Sequence, residues 1–569
     1  MKKLISCMCL ITLLFSFSCS NETQKSSEVD EEVTIYIGSN INSASMPNWP
    51  NDFAKQMMED LGFKIELRKV TPEQTDLYLS SGAAPVDILL CRDSKESQFV
   101  KADFVTLMDP YLDEYGQNIL IHKDRNNLAR EFLSNGTGNL YFKRVQTGPE
   151  NPEGPGQIWN GYVMRWDLYK ELGLPEVNNT DDFIDVIEEM VKLYPENEEG
   201  EKVYGMGIGS EVTSLWAWTI TAEANNALCG VCYGAYVDLE TWEVRNKYLD
   251  DDVPYWLSID FYNELYNRGL LDPESFIMTD QSCKERMARG IYVAAPQIWA
   301  AGSYYSYNRK QDPNTLKGMI SILPANGGVS AWYGASPVGG WEGTSYCIPK
   351  SSAYPEQAMQ VLDYLDDPDN LRRLYSGVEG VHWEYDENGK PQVTDFALKL
   401  KAAGGDPWKQ SGIGNSQLAN LAGLSKWNTY KDGSLLGLFE DKDLKSKALN
   451  PLSIDYCKTY NVDYPGQLHV KQVEKGIAID RRREPKDLSL VIDEAPSDLK
   501  RINSKLDSIL ESSLPNLVMA PREELAAEKA KVLEKLKRAG AEELYEWSVD
   551  TFSRADEKLM KAKAKYNIQ

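Results

Sequence analysis

The 569-residue sequence predicts an α/β protein with more than one core. Three observations carry that expectation. Near the N-terminus, short β-branched runs alternate with amphipathic runs. The chain is longer than one hydrophobic core usually serves. Far along it, Gly318–Tyr385 takes up the same alternation again, around a stretch rich in glycine and aromatic residues.

Val33–Gly38 alternates and is β-branched, so it reads as a strand, with Ser39–Asn42 as the polar turn after it. Asp52–Leu61 has helical periodicity and Gly62 stands where a helix ends. Lys64–Val70 is a second strand. Thr71-Pro72-Glu73 opens a helix that stops at Ser81-Gly82. Val86–Leu90 is a third, buried strand, and the alternation implies a doubly wound parallel sheet. Trp159–Leu174 reads as a strand running into a helix. From Asn179 an amphipathic helix follows, with Thr180 as the expected N-cap and Phe183, Val186, Ile187 and Met190 on one face. Leu193–Gly205 lacks the alternating oxygen ligands of a calcium loop and reads as a solvated turn. Met319–Pro324 and Ser345–Pro349 are further strands. A helix begins at Pro355, with Ala358, Met359, Leu362 and Leu365 at helical spacing. Near the C-terminus, Glu523–Lys537 and Glu542–Phe552 are helical on either side of Gly540.

The composition, 42% hydrophobic and 10% aromatic, is that of a globular chain. A net charge of −25 opposes nucleic acid, whose phosphates it would repel, and opposes a polybasic lipid-binding face. At the N-terminus Lys2 and Lys3 precede the apolar run Leu4–Phe17, which is shorter than the ~20 residues of a spanning helix. Cys229-Gly-Val-Cys232 has redox or metal spacing but no second pair. A local disulfide is open to an exported protein, and buried thiols are the default for the other cysteines. No nucleophile elbow, zinc-protease helix, phosphate loop or dinucleotide fingerprint is present, so no cofactor and no catalytic residue is expected.

Two sets of residues carry a resemblance. Ser18-Cys19 after the apolar run resembles a bacterial lipobox, which makes Cys19 the lipidated first residue and 20–32 a tether. Tyr375-Ser-Gly-Val-Glu-Gly-Val-His382-Trp, with the turn Asp386-Glu-Asn-Gly389, resembles a stretch of the carbohydrate-type extracellular solute-binding proteins of bacterial ABC importers, in their large lipoprotein branch. Tyr78–Leu90, Phe104–Leu112, Val163–Leu174 and Gly269–Pro296 with Trp299 are similar to other passages of that family. The resemblance implies a two-lobed periplasmic-binding-protein-like fold with a hinge and C-terminal helices. It implies one lobe from 33–157 and 325–384, a second from 158–324 and 385–515, and a helical segment over 516–569. It also implies a monomeric receptor, lipid-anchored at the outer face of the membrane, whose partners are a permease and its ATPase.

A sugar receptor needs flat aromatic platforms ringed by polar groups, in a cleft at strand ends. Trp216 and Trp218 follow the strand-like Tyr204–Ile208, Trp299 follows the strand at Ile291, and Trp341 follows the Gly-rich stretch. Trp159 precedes a strand. Asn40 follows the first strand, and Arg92 and Asp93 follow the third. These residues are the expected contacts for a carbohydrate. The alternatives are a surface lipoprotein that holds or degrades glycans, and a receptor for peptides or another small solute.

Overall fold

The computed structural model describes residues 33–39, 48–91, 96–149, 154, 156–209, 215–326, 329–330, 340, 343–414, 416–480 and 486–568. The N-terminal elements form for local reasons. Helix Asp52–Leu61 is capped by Asn51, whose side chain accepts the Ala54 N–H, and is closed by Gly62 at φ 77°. Helix Pro72–Ser81 starts with a full Thr71/Gln74 capping box. Strand Thr34–Ser39 turns Ile35 and Ile37 into the core.

The first sheet has the order Lys64–Lys69, Thr34–Ser39, Ile88–Cys91, Ser345–Cys347, Lys143–Arg144. Its first three strands are parallel, but Ser345–Cys347 pairs antiparallel with both its neighbours. The sheet is therefore mixed, not the all-parallel sheet expected from the alternation. A strand that arrives from another lobe need not enter in the direction a local crossover imposes. The second sheet is Met319–Ile322, Tyr162–Arg165, Ala294–Ala295, with the middle strand antiparallel to both.

Each sheet has its own core. The first gathers Ile35, Met57, Leu89, Tyr346 and Leu362, and the second gathers Tyr162, Phe183, Trp256, Ile322 and Leu544. The run 385–515, assigned above to the second lobe, divides between them. Leu418–Leu436 and Leu488–Val491 pack in the first core, Leu452–Cys457 and Leu499–Leu510 in the second. A satellite core of Trp383, Val393, Ala397, Leu438 and Phe439 stands beside the first. The C-terminal helix Ala541–Tyr566 buries Ala541 and Leu544 in the second core and Ala555, Leu559 and Ala562 in the first. At 1.5 Å per residue it runs about 40 Å.

Other local expectations shift slightly. Asn179, not Thr180, caps the helix Thr180–Leu193, accepting the Asp182 N–H. The turn after it closes on the Asn197 side chain, which accepts the Glu199 and Glu201 N–H groups. Within the Glu-Gly-Val-His passage, His382 Nδ1 accepts the Val378 N–H and Trp383 Nε1 donates to Gly377 O. Gly377 has φ 85°, and a Cβ there would lie 2.6 Å from the His382 ring. The passage is thus a folded turn held by its own side chains. Among the described residues no disulfide joins Cys229 to Cys232. No described helix is long and apolar enough to cross a membrane.

One buried ionic cluster fixes the far edge of the first sheet. Asp366 meets Arg125 at 2.6 Å and Lys143 at 2.9 Å, all three side chains being sealed from solvent. Burial alone would raise the Asp366 carboxyl, but Arg125 and Lys143 outweigh it and hold it well below the usual range. Lys143 also donates to Leu362 O and Leu421 O. Gly423 closes over the carboxylate so tightly that a Cβ would lie 1.5 Å from Asp366 Oδ1. Removing one member of such a cluster leaves an uncompensated buried charge, so Asp366→Asn should cost about 3–5 kcal/mol. Gly423→Ala, which inserts volume at the same point, should cost about 1–3 kcal/mol. Urea denaturation measures both, and midpoints equal to the parent's would show that the cluster does not hold this edge.

Candidate functional site

The chain leaves the first sheet after Arg144 and enters the second at Tyr162. It returns from Ile322 to Ser345. These two connections touch at both ends. A Cβ on Gly161, at φ 123°, would lie 2.7 Å from Ile322 O, and one on Gly340, at φ 70°, would lie 2.3 Å from Val145 O. Only glycine permits backbones that close with that sign of φ. A further segment joins them, since Val329–Ser330 pairs in parallel with Ile479–Asp480. The strand ends next to these connections are where a ligand between two lobes would meet the sheets.

At the second sheet, the register Val163↔Ala295 and Met164↔Ala294 is antiparallel. Followed past the paired residues, it brings Trp159 and Trp299 to the same end of the sheet. Both are half-buried, and Trp299 sits in the short helical turn Ile298–Ala300. Two residues before Trp299, Gln297 is fully buried. Its Nε2 donates to Thr221 Oγ1, which donates to Pro296 O, while its Oε1 has no partner. At the first sheet, the matching end carries Ser345, whose hydroxyl donates to Glu96, and the buried Arg144, 3.8 Å from Glu96. Among the described residues Arg144 Nε and Nη1 have no hydrogen-bond partners. Burial pushes its pKa down, against the pull of Glu96.

The tryptophan expectations divide. Trp218 does not follow a strand end but lies on the helix Leu215–Asn225, 2% exposed, stacked 3.7 Å from Phe261 and 5.8 Å from Phe183. It is core, which corrects its expected role. Trp216 lies on the same helix, and its side chain is outside the described residues, as are Asn40, Arg92, Asp93, Trp341 and Cys19. A groove of about 470 Å³ between Gly389, Lys390, Gln392, Asp432 and Asp443 holds none of the expected site residues. Gln297 and Arg144 were not foreseen. Gln297 stands two residues before Trp299 and could have been read with it, whereas nothing local marks Arg144.

With this geometry in place, comparison with known proteins is informative about the fold. No family model matches the chain. It is 31% identical over 148 residues to an uncharacterized protein in the butB 5′ region of Niallia circulans, a match covering 26% of this chain and 56% of that one. It is 22% identical over 380 residues to lipoprotein LipO of Bacillus subtilis, covering 64% of this chain and 70% of LipO. The first of these relatives is thus matched over little more than half its length. Among solved structures, the S. pneumoniae ABC-transporter substrate-binding protein FusA in complex with kestose superposes with a TM-score of 0.59 at 15% identity, covering 93% of this chain and 100% of FusA. An HMO-binding ABC-transporter-associated solute-binding protein of Bifidobacterium longum infantis gives 0.55 at 15% identity, covering 92% and 99%. The N-glycan transport solute-binding protein NgtS of Streptococcus pneumoniae in complex with Man1GlcNAc gives 0.51 at 14%, covering 92% and 99%. The chain has the periplasmic-binding-protein-like fold in the form these solute-binding proteins take. At the level of fold, the resemblance drawn from the Glu-Gly-Val-His passage holds.

The two tryptophans should behave differently on truncation. Trp218→Ala opens a cavity in the core and should cost about 3–5 kcal/mol. Trp299→Ala, in a half-buried helical turn beyond the strand, should cost clearly less. Equal losses in thermal or urea unfolding would place Trp299 in the core as well.

Proposed function

We propose that the protein is a binding receptor of an ABC importer, and not an enzyme, that captures an oligosaccharide between its two lobes. The observation that carries this reading is the pair Trp159 and Trp299, which share the end of the second sheet next to the connections between the cores. Two half-buried indoles, with the buried Gln297 amide two residues before one of them, suit the apolar faces and polar rims of sugar rings. The sugar ligands named for the superposed structures support the same ligand class. Anchoring through a lipid on Cys19 is supported by the distant likeness to LipO. Delivery to a permease and its ATPase completes the proposal. Two lobes built on the two cores, with 385–515 shared between them, and closure about the connecting segments belong to it.

A ligand that binds only the native state raises its stability, by about 2.7 kcal/mol at a hundredfold excess over Kd. A thermal-shift screen of plant, fungal and host oligosaccharides should therefore yield a hit that also changes tryptophan fluorescence saturably and is recovered uncleaved. Trp299→Ala should weaken that hit by about 1–3 kcal/mol, on the scale of base–aromatic stacking. Turnover of the sugar, or a panel without any shift, would overturn the reading.

A further inference from the structure

A second group of residues, absent from the sequence reading, gathers where the satellite core meets the second lobe. Glu440 is approached by three lysines. Lys426 reaches it at 2.5 Å and Lys445 at 4.0 Å, while Lys401 acts on it through the field. Burial would raise the Glu440 carboxyl, yet Lys426, Lys401 and Lys445 together draw it down to about 2. Trp427 turns its Nε1 toward the same carboxylate at 3.5 Å.

Three ammonium groups draw on the one Glu440 carboxylate, in a chain whose net charge is −25. Lys401 is the least compensated. Its Nζ lies 4.2 Å from the centre of the Phe439 ring and 5.8 Å from that of Trp408, and neither a hydrogen bond nor an ion pair holds it among the described residues. Burial lowers its pKa to about 8 against the attraction of Glu440. A half-buried ammonium without an oxygen partner is costly, and an anion beside it would recover that cost.

Both lobes frame the cluster. Arg309, on the helix Gly302–Gln311 that follows Trp299, donates to Ala402 O, next to Lys401. Lys445 donates to Gly154 O, within the connection between the sheets, and lies 5.1 Å from the ring of Tyr464. Asn428, next to Trp427, packs on Gly148 and donates to Thr147 O in that same connection. The cluster thus borders the segment that joins the two strand ends described above.

We infer that Lys401, Lys426 and Lys445, with Trp427 beside them, form an anion subsite that receives the carboxylate of an acidic sugar. The inference rests on the sugar-receptor reading and narrows it to carboxylate-bearing oligosaccharides such as uronates and sialosides. A neutral sugar would leave Lys401 without a partner. An acidic one would pair it, and its ring could lie against Trp427.

Matched pairs test this by calorimetry on the full chain: trigalacturonate against its methyl ester, 3′-sialyllactose against lactose, and glucuronoxylotriose against xylotriose. In at least one pair the acidic member should bind at least tenfold more tightly. Lys401→Met and the more exposed Lys426→Gln should each bring it down to the level of its neutral partner, with binding of the neutral member unchanged. Both variants should keep the parent's circular dichroism, and Lys426→Gln carries the test if Lys401→Met is unstable. Acidic members that bind no better than neutral ones would overturn the anion subsite while the sugar-receptor reading stands. Tight acid binding that both variants retain would also overturn it. If no member of any pair binds, both readings fall.

Discussion

The carboxylate of Asp366, held between Arg125 and Lys143, sets where the chain can leave the first sheet. Lys143 is the first residue of the sheet's last strand, and the same ammonium holds Leu421 O. The segment through Gly423 is thereby laid against the strand's exit, where Gln146 and Thr147 donate their N–H groups to Ala422 O and Gly423 O. A buried ion pair of this kind is weak evidence for stability by itself. Its consequence here is geometric. It welds residues from four distant parts of the chain into one edge, and from that edge the first connection to the second core departs.

Given that fixed exit, the rest of the architecture follows from glycine. Gly340 and Gly161 let the outward and returning connections lie against each other at both ends. The first sheet is incomplete without Ser345–Cys347, which arrives after the chain has built the second and slots between Ile88–Cys91 and Lys143–Arg144, whereas the second sheet comes from one continuous stretch. The facing strand ends therefore fall beside the connections, where Trp159, Trp299, Gln297 and Arg144 stand. Helix Ala541–Tyr566 adds a constraint of a different kind. Its last turns pair with residues around the first core through Lys563 to Asp487 and Lys565 to Glu131, and its first turns lie in the second core. Relative motion of the two cores must bend this helix or rotate about it, so large separations are disfavoured.

Much of the local structure was legible because it is encoded within a few residues. The Thr71 capping box, the stop at Gly62, the break at Gly540 and the buried face Phe183, Val186, Ile187, Met190 all depend on neighbours in sequence. What was misread depends on partners far away. Tyr204–Ile208 looks like a strand, yet Gly205 and Gly207 are there to let Ile187 and Tyr292 approach. A Cβ on Gly207 would lie 2.2 Å from the Tyr292 ring. The segment accordingly makes only isolated bridges, and Trp218 beyond it enters a helix that feeds the core. The mixed sense of the first sheet and the division of 385–515 between two cores were likewise invisible, since both are set by where the chain returns. Trp299 is legible from its family-like surroundings, whereas its place at the same sheet end as Trp159 follows only from the register of the second sheet. Of the lysines around Glu440, Lys401 and Lys445 lie on two separate helices and Lys426 in a turn, and no spacing in the sequence relates them.

The central claim is that the ligand lies between the lobes, at the strand ends beside the connections. A crystal structure of the protein with its tightest-binding oligosaccharide tests that claim most directly. The account predicts sugar rings stacked on Trp159 and Trp299, with both lobes contributing hydrogen bonds. A ligand seated elsewhere, for instance in the groove between Gly389 and Asp432, with the two indoles untouched, would contradict it.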